Sequence, residues 1–188
     1  LDSFVACQAL APLCPQTTLV NVADREGDLY DLFQQALAPT DAPPVHLLVR
    51  AQHDRQVNHP QKYLWDFLAD QPVKAQIHIQ VPRKEGQPAR QATLAISFAP
   101  VTLRPPCLKE EQKPLTLWSV LARELHPPQG VQAICWRLLT TLPVPTIESA
   151  VEKVRWYACR WQIEVMHKVL KSGCKIEQRQ LETATRLQ

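Results

Sequence analysis

The stretch "TTLVNVADREGDLYDLFQQALAPTDAPPVHLLVRA", residues 17–51, decides the fold. Leu19 to Ala23 form a nearly continuous apolar run that ends on Asp24 and turns at Gly27, the pattern of a strand covered on both faces. Leu29, Leu32, Phe33, Ala36 and Leu37 then recur at helical spacing until Pro39, so an amphipathic helix is expected. Val45 to Ala51 is a second short apolar run and reads as a second buried strand. Strand, helix and strand in this order predict a parallel pair joined by a right-handed crossover. Open α/β sheets place their ligand sites at the carboxyl ends of such strands, which is where Asp24 stands. Taken alone, an aspartate there is more often a turn former or a helix cap.

Working outward, the composition changes between Asp54 and Gly130. Prolines cluster, "KAQIHIQV" and "QATLAISF" alternate in the manner of strands, and "RKEGQPAR" supplies a turn, so this segment reads as a β-rich insertion. "LTLWSVLARE", residues 115–124, fits helix or strand by periodicity, and its flanking prolines favour strand. "AICWRLLTTLPVP" is a further strand, stopped by Pro143 and Pro145. Three segments result: 1–53 and 131–188 as core, and 54–130 as insertion.

Thr146 is placed to N-cap a long final helix, Glu148 suits the positive end of its dipole, and Gly173 suits its end. Ile147, Val151, Val154, Ala158, Trp161, Val165 and Val169 follow helical spacing and are the expected core stripe. Tyr157, Arg160, Glu164, Lys168 and Lys171 form a second stripe beside it. A solvated ion-pair ladder and a functional face fit this stripe equally well, because charge at helical spacing is common on surfaces.

Composition bounds the class. With 188 residues and 45% hydrophobic content the chain can bury a core, which excludes a disordered polymer. It opens on Leu1 and stops at Gln188 within a polar helical pattern, and therefore reads as a fragment. There is no apolar run of about 20 residues and no charged leader, so a soluble intracellular protein is expected. Six cysteines (Cys7, Cys14, Cys107, Cys135, Cys159 and Cys174) form no CxxC pair and stand with no histidines at zinc-finger spacing, so free or buried thiols are expected. The net charge of +3 is unevenly placed: residues 151–188 hold eight Lys/Arg against four Asp/Glu. That suits a polyanionic partner.

Tyr157, Arg160, Glu164 and Lys171 spell Y-x2-R-x3-E-x6-K. This resembles the YREK signature of bacterial insertion-sequence DDE transposases, the cut-and-paste group of the insertion sequence four family. "VADREGDLYDLF", residues 22–33, is similar to the segment that holds the second catalytic aspartate of that family, and "WRLLTTLPV", residues 136–144, is similar to the strand before its final catalytic helix. The resemblance covers most of the chain in the right order, with a β-rich insertion where the family has one.

The resemblance implies an RNase H-like α/β core, with its opening strands missing, and a triad of two aspartates and a glutamate holding two divalent cations, Mg2+ or alternatively Mn2+. Asp24 matches the second aspartate and Glu164 the glutamate, so both become the expected catalytic and metal-binding residues. Ahead of Asp24 only Asp2 is acidic, and it is too close in sequence, so the first acid of the triad is absent and this chain alone is expected to be inactive. Arg160, Lys168 and Lys171 would neutralise phosphates, Tyr157 would join them, Arg50 would approach DNA, and Trp136 would stack on an extruded nucleotide, although a strand tryptophan is more often structural. Arg25 and Glu26 are given supporting contacts only. The implied partners are transposon-end and target DNA and a second copy in a synaptic homodimer, with no membrane, in the bacterial cytoplasm. The implied function is DNA transposition by phosphodiester cleavage and strand transfer. The alternative is an inactive remnant that binds DNA or interferes with an intact transposase.

Overall fold

The computed structural model describes residues 2–60, 63–83, 88–109 and 111–173. The chain divides into two compact units, Leu1–Tyr157 and Ala158–Gln188.

In the first unit, strands β1 (Leu19–Ala23) and β2 (Val45–Arg50) flank helix α2 (Tyr30–Leu37), and the two strands pair in parallel from Leu19↔Val45 to Ala23↔Val49. The expected strand–helix–strand unit is therefore present. A helix that the sequence reading did not anticipate, α1 (Asp2–Leu10), precedes it and carries Asp2. Strands β3 (Ala75–Val81), β4 (Arg90–Leu103), β5 (Leu115–Leu125) and β6 (Cys135–Thr140) complete one six-stranded sheet in the order β1-β2-β6-β5-β4-β3. All neighbours beyond β1 and β2 are antiparallel. "LTLWSVLARE" is a strand, as expected. The strands of segment 54–130 share this sheet with β1, β2 and β6, and the segment also contains helix α3 (Leu64–Ala69). Leu64, Phe67 and Leu68 form the short apolar face that folds α3 onto the sheet, and the Trp65 amide donates to Asp54 Oδ1 at 2.8 Å.

The sheet buries apolar side chains on both faces. Phe4 of α1, Leu32 and Phe33 of α2, and Phe67 and Leu68 of α3 pack on one face with Leu47, Val49, Leu103 and Leu139. On the other face Leu48, Leu94, Ile96, Val120 and Leu138 meet helix α4 (Ile147–Ala158) through Ala150, Val154 and Tyr157. A side chain such as Phe33 or Leu138, fully buried, stabilises the fold by about 1.5–3 kcal/mol. Thr146 caps α4 as expected: its Oγ1 accepts from the Ser149 amide at 3.2 Å, while Ser149 Oγ accepts from the Thr146 amide at 3.1 Å.

The core stripe differs from the expected one. Val154 is buried as expected, but Ile147 is exposed, and α4 adds Ala150, Lys153 and Tyr157 to its buried face. Positions 150, 154 and 157 keep helical spacing as well as the expected set does, so periodicity alone cannot choose between them. The small Ala150 lets the helix approach closely, and Lys153 folds its ammonium over the Trp156 ring at 4.1 Å and onto Glu152.

The second unit is helical from Cys159 but not one regular α-helix. A 3-10 turn (Cys159–Trp161) precedes α5 (Gln162–Lys168), and a π-type turn (Val169–Gly173) follows it. Trp161, Val165 and Val169, expected in the core, are exposed. Cys174 lies outside the described residues; the other five cysteines are free thiols.

Candidate active site

The carboxyl end of β1 runs into a tight turn whose residues are fixed by different means. Asp24 has extended backbone and caps a 3-10 turn (Arg25–Gly27), its Oδ1 accepting the Arg25 amide at 2.9 Å. Gly27 closes against the strand it follows, so that a Cβ there would lie 2.5 Å from the Ala23 Cβ. Asp28 is buried and takes four bonds from the loop after β2: the amides of Gln52 (2.7 Å) and His53 (2.9 Å) reach Oδ2, and Arg55 reaches Oδ1 through Nε (3.1 Å) and Nη2 (2.7 Å). This latch joins the ends of the two parallel strands. Sequence reasoning passed over both Asp28 and Arg55. The second acid of "DREGD" was the available signal, but burial, which separates its role from that of Asp24, is invisible in the string.

The Asp24 side chain keeps 35% of its surface, and Arg50, at the end of β2, lies with Nη1 3.8 Å from Oδ1. Tyr157, on the last turn of the first unit, donates its hydroxyl to the same oxygen at 3.0 Å. Burial raises the Tyr157 phenol above its ordinary value, and the negative charge of Asp24 adds to the shift. Trp136 of β6 meets the Tyr157 ring edge-on, with centroids 5.0 Å apart. Asp24, Arg50, Trp136 and Tyr157, expected from the sequence to share a site, are thus brought together.

Asp24, Arg50 and Trp136 line a cleft of about 620 Å³ whose wall also includes Arg25, Arg90 and Arg137. Arg90 grips Glu124 of β5 in a two-point pair, and Glu124 Oε2 also accepts the Ile134 amide at 2.9 Å. Arg90 holds the Glu124 carboxyl below the usual range, burial opposing and the Ile134 amide assisting. Arg137 lies over the Trp65 ring at 4.5 Å. Neither Arg90 nor Arg137 was singled out from the sequence, because only strand pairing carries them to the cleft.

The remaining expected residues belong to the second unit. Arg160 is half-buried in the 3-10 turn, while Lys168 and Lys171 are exposed. The backbone of Glu164 lies within α5, but its side chain lies outside what is described. As a metal donor, Asp24 is a hard oxygen ligand with exposed surface at a strand end, which suits a divalent cation of the Mg2+ kind. Among the described residues no cluster of three His, Cys, Asp or Glu accompanies it. The described residues therefore offer one ligand of such a site.

The sequence matches the family described as Transposase DDE domain over residues 38–188, most of the chain. The chain belongs to the DDE transposase family. Members are enzymes that act on DNA and generally use divalent metal ions. Asp24 precedes the matched range, whereas Arg50, Trp136, Tyr157 and α4 fall within it. Among the described residues no helix is long and apolar enough to cross a membrane.

Proposed function

We propose that this chain is the catalytic part of an insertion-sequence transposase of the insertion sequence four family, with an RNase H-like core formed by 1–53 and 131–188 and an insertion at 54–130. The reading rests chiefly on one observation: Asp24, at the carboxyl end of β1, faces a cleft walled by four arginines in a chain of the DDE family. Asp24 and Glu164 are the metal ligands. Two bound Mg2+ ions, or Mn2+, would activate a water or a 3′ hydroxyl and stabilise the leaving oxygen in an in-line attack on a phosphodiester. The protein's share is to bind and orient the DNA. Arg50, Arg160, Lys168 and Lys171 neutralise phosphates, arginine with paired donors, and Trp136 presents its ring to a base at the cleft. Transposon ends and target DNA are the substrates, a homodimer is the synaptic form, and the bacterial cytoplasm is the setting. Asp2 sits on α1 and not on a strand, so the chain as it stands supplies two acids of three and does not nick DNA alone.

Salt-dependent binding tests the reading. Affinity for duplex DNA carrying the element's terminal sequence should fall as salt rises, with a log–log slope of about −0.9 per phosphate contact. Lys171→Ala should weaken binding and flatten the slope by about one unit. Its thermal unfolding should stay unchanged, because an exposed helical lysine contributes little to stability. A mutant that loses stability and binds DNA as before would return the stripe to a solvated ion-pair ladder. Metal-dependent nicking by the 188-residue chain would show that its own acids suffice.

A further inference from the structure

We propose that Arg137 is a phosphate-binding residue held in place by Trp65 of α3, so that segment 54–130 takes part in gripping DNA; the inference rests on the reading of the cleft as the DNA site. The family resemblance gives neither residue such a role. Their placement does.

The backbone of Arg137 is fixed from both sides. It pairs with Leu121 of β5, and its carbonyl accepts at 2.7 Å the amide of Ala51, the residue after Arg50. Its side chain belongs to the wall of the cleft of about 620 Å³ that Asp24, Arg50 and Trp136 also line. Successive side chains on a strand point to opposite faces of the sheet. Trp136 accordingly packs with the core beneath α4, whereas Arg137 turns to the other face and meets Trp65, which packs with the core beneath α2 and α3. The cleft therefore draws on both faces at this end of the sheet.

The manner in which an arginine is held determines which of its atoms remain for a ligand. Arg55 and Arg90 each give the edge of the guanidinium to a buried carboxylate, Asp28 and Glu124. Arg137 is held by a ring: its guanidinium lies over Trp65, 4.5 Å from the centroid. A ring takes the flat face of the group, leaves the charge uncancelled and leaves the edge, which carries the N–H donors, for another partner. That edge matches two oxygens of a phosphate. The ring is itself anchored, because Leu64, Phe67 and Leu68 bury α3 and the Trp65 amide donates to Asp54 Oδ1 at 2.8 Å. A guanidinium stacked on it is partly ordered before DNA arrives, which lowers the cost of binding. An arginine that only shields a tryptophan would stack in the same way. The two roles part in their response to DNA.

The experiment follows binding of the 188-residue chain to a fluorescein-labelled DNA duplex of arbitrary sequence across a salt series, since phosphate contacts carry no sequence information. Arg137→Gln is expected to weaken binding and flatten the log–log slope by about 0.9, the share of one phosphate. Arg137→Lys, which keeps the charge, should keep the slope. Trp65→Leu should keep the slope but lower affinity about two- to fivefold, and Trp65→Phe should restore it. A wild-type slope in Arg137→Gln overturns the inference, and wild-type affinity in Trp65→Leu overturns the part given to Trp65. Should Arg137→Gln fail to fold, phenylglyoxal decides on the wild-type chain. Bound duplex should shield Arg137 from modification, read by mass spectrometry of its peptide, and equal modification with and without DNA overturns the inference. A wild-type chain with no salt-dependent binding at all would overturn the DNA reading of the cleft, and this inference with it.

Discussion

Gly27 lies within the turn that carries Asp24, and the reason for a glycine there is distance, not dihedral freedom. Any added Cβ would sit 2.5 Å from the Ala23 Cβ and 3.5 Å from Val49, so both the strand end and the turn would have to shift. Gly27→Ala should destabilise the fold by about 1–3 kcal/mol, read as a lower urea midpoint with an unchanged slope. A midpoint equal to that of the wild type would mean that the turn relaxes at no cost. At this scale the sequence was informative about residue type and silent about residue role. "DREGD" displays two aspartates of equal chemistry. One is sealed by Gln52, His53 and Arg55, and the other retains a solvent-facing side chain at the cleft. The partners of Asp28 come from the loop after β2, and Tyr157 reaches Asp24 from α4, far along the chain. No local pattern announces them.

Among the elements, β4 and β5 form the longest ladder, paired from Thr93↔Leu125 to Leu103↔Leu115. At the end of that hairpin nearest the cleft, Arg90 and Glu124 lock β4 to β5, and Glu124 keeps only 1% of its side-chain surface. Because Arg90 depresses the folded-state pKa of Glu124, the unfolded chain binds the proton more readily. The stabilisation is therefore complete above the ordinary glutamate value of 4.5 and is lost as the pH falls through the lower folded value. Glu124→Gln should cost about 2 kcal/mol at neutral pH, and the gap from wild type should shrink below pH 4.5 in urea titrations at stepped pH. A gap independent of pH would remove the charged pair from the account. Strand periodicity located "QATLAISF", residues 91–98, and β4 runs on through Pro100 to Leu103, although a proline is rarely found in a strand interior. Its pairing with β3 ends at Ala75↔Ile96, so at Pro100 that edge of β4 is beyond the reach of β3, and a missing donor is tolerated there. For α4 the pattern allowed two stripes, and it was the sheet beneath that selected Ala150, Val154 and Tyr157.

At the scale of the molecule, β5 and β6 are laddered on both sides, whereas β1 and β3 close the sheet at its two edges. Amide exchange should therefore be slowest in Val120–Ala122 and Leu138–Leu139, whose side chains are buried, and should approach global unfolding there; β1 and β3 should exchange through smaller openings. Uniform protection across all six strands in a hydrogen-exchange experiment would contradict this hierarchy. The parallel pair was legible because contiguous apolar runs and a helix lie next to one another in the chain. The single sheet was not, because β2 finds β6 only after β3, β4 and β5 have been passed over, and such long-range pairing leaves no periodic trace. The same separation orders events during synthesis. β1, α2 and β2 leave the ribosome before β6, and until β6 emerges the Leu47–Leu48–Val49 segment presents one open, apolar edge. The β4–β5 hairpin can close locally while that edge waits. A nascent chain paused before Cys135 thus keeps that edge bare, and it is there that a chaperone would find its grip.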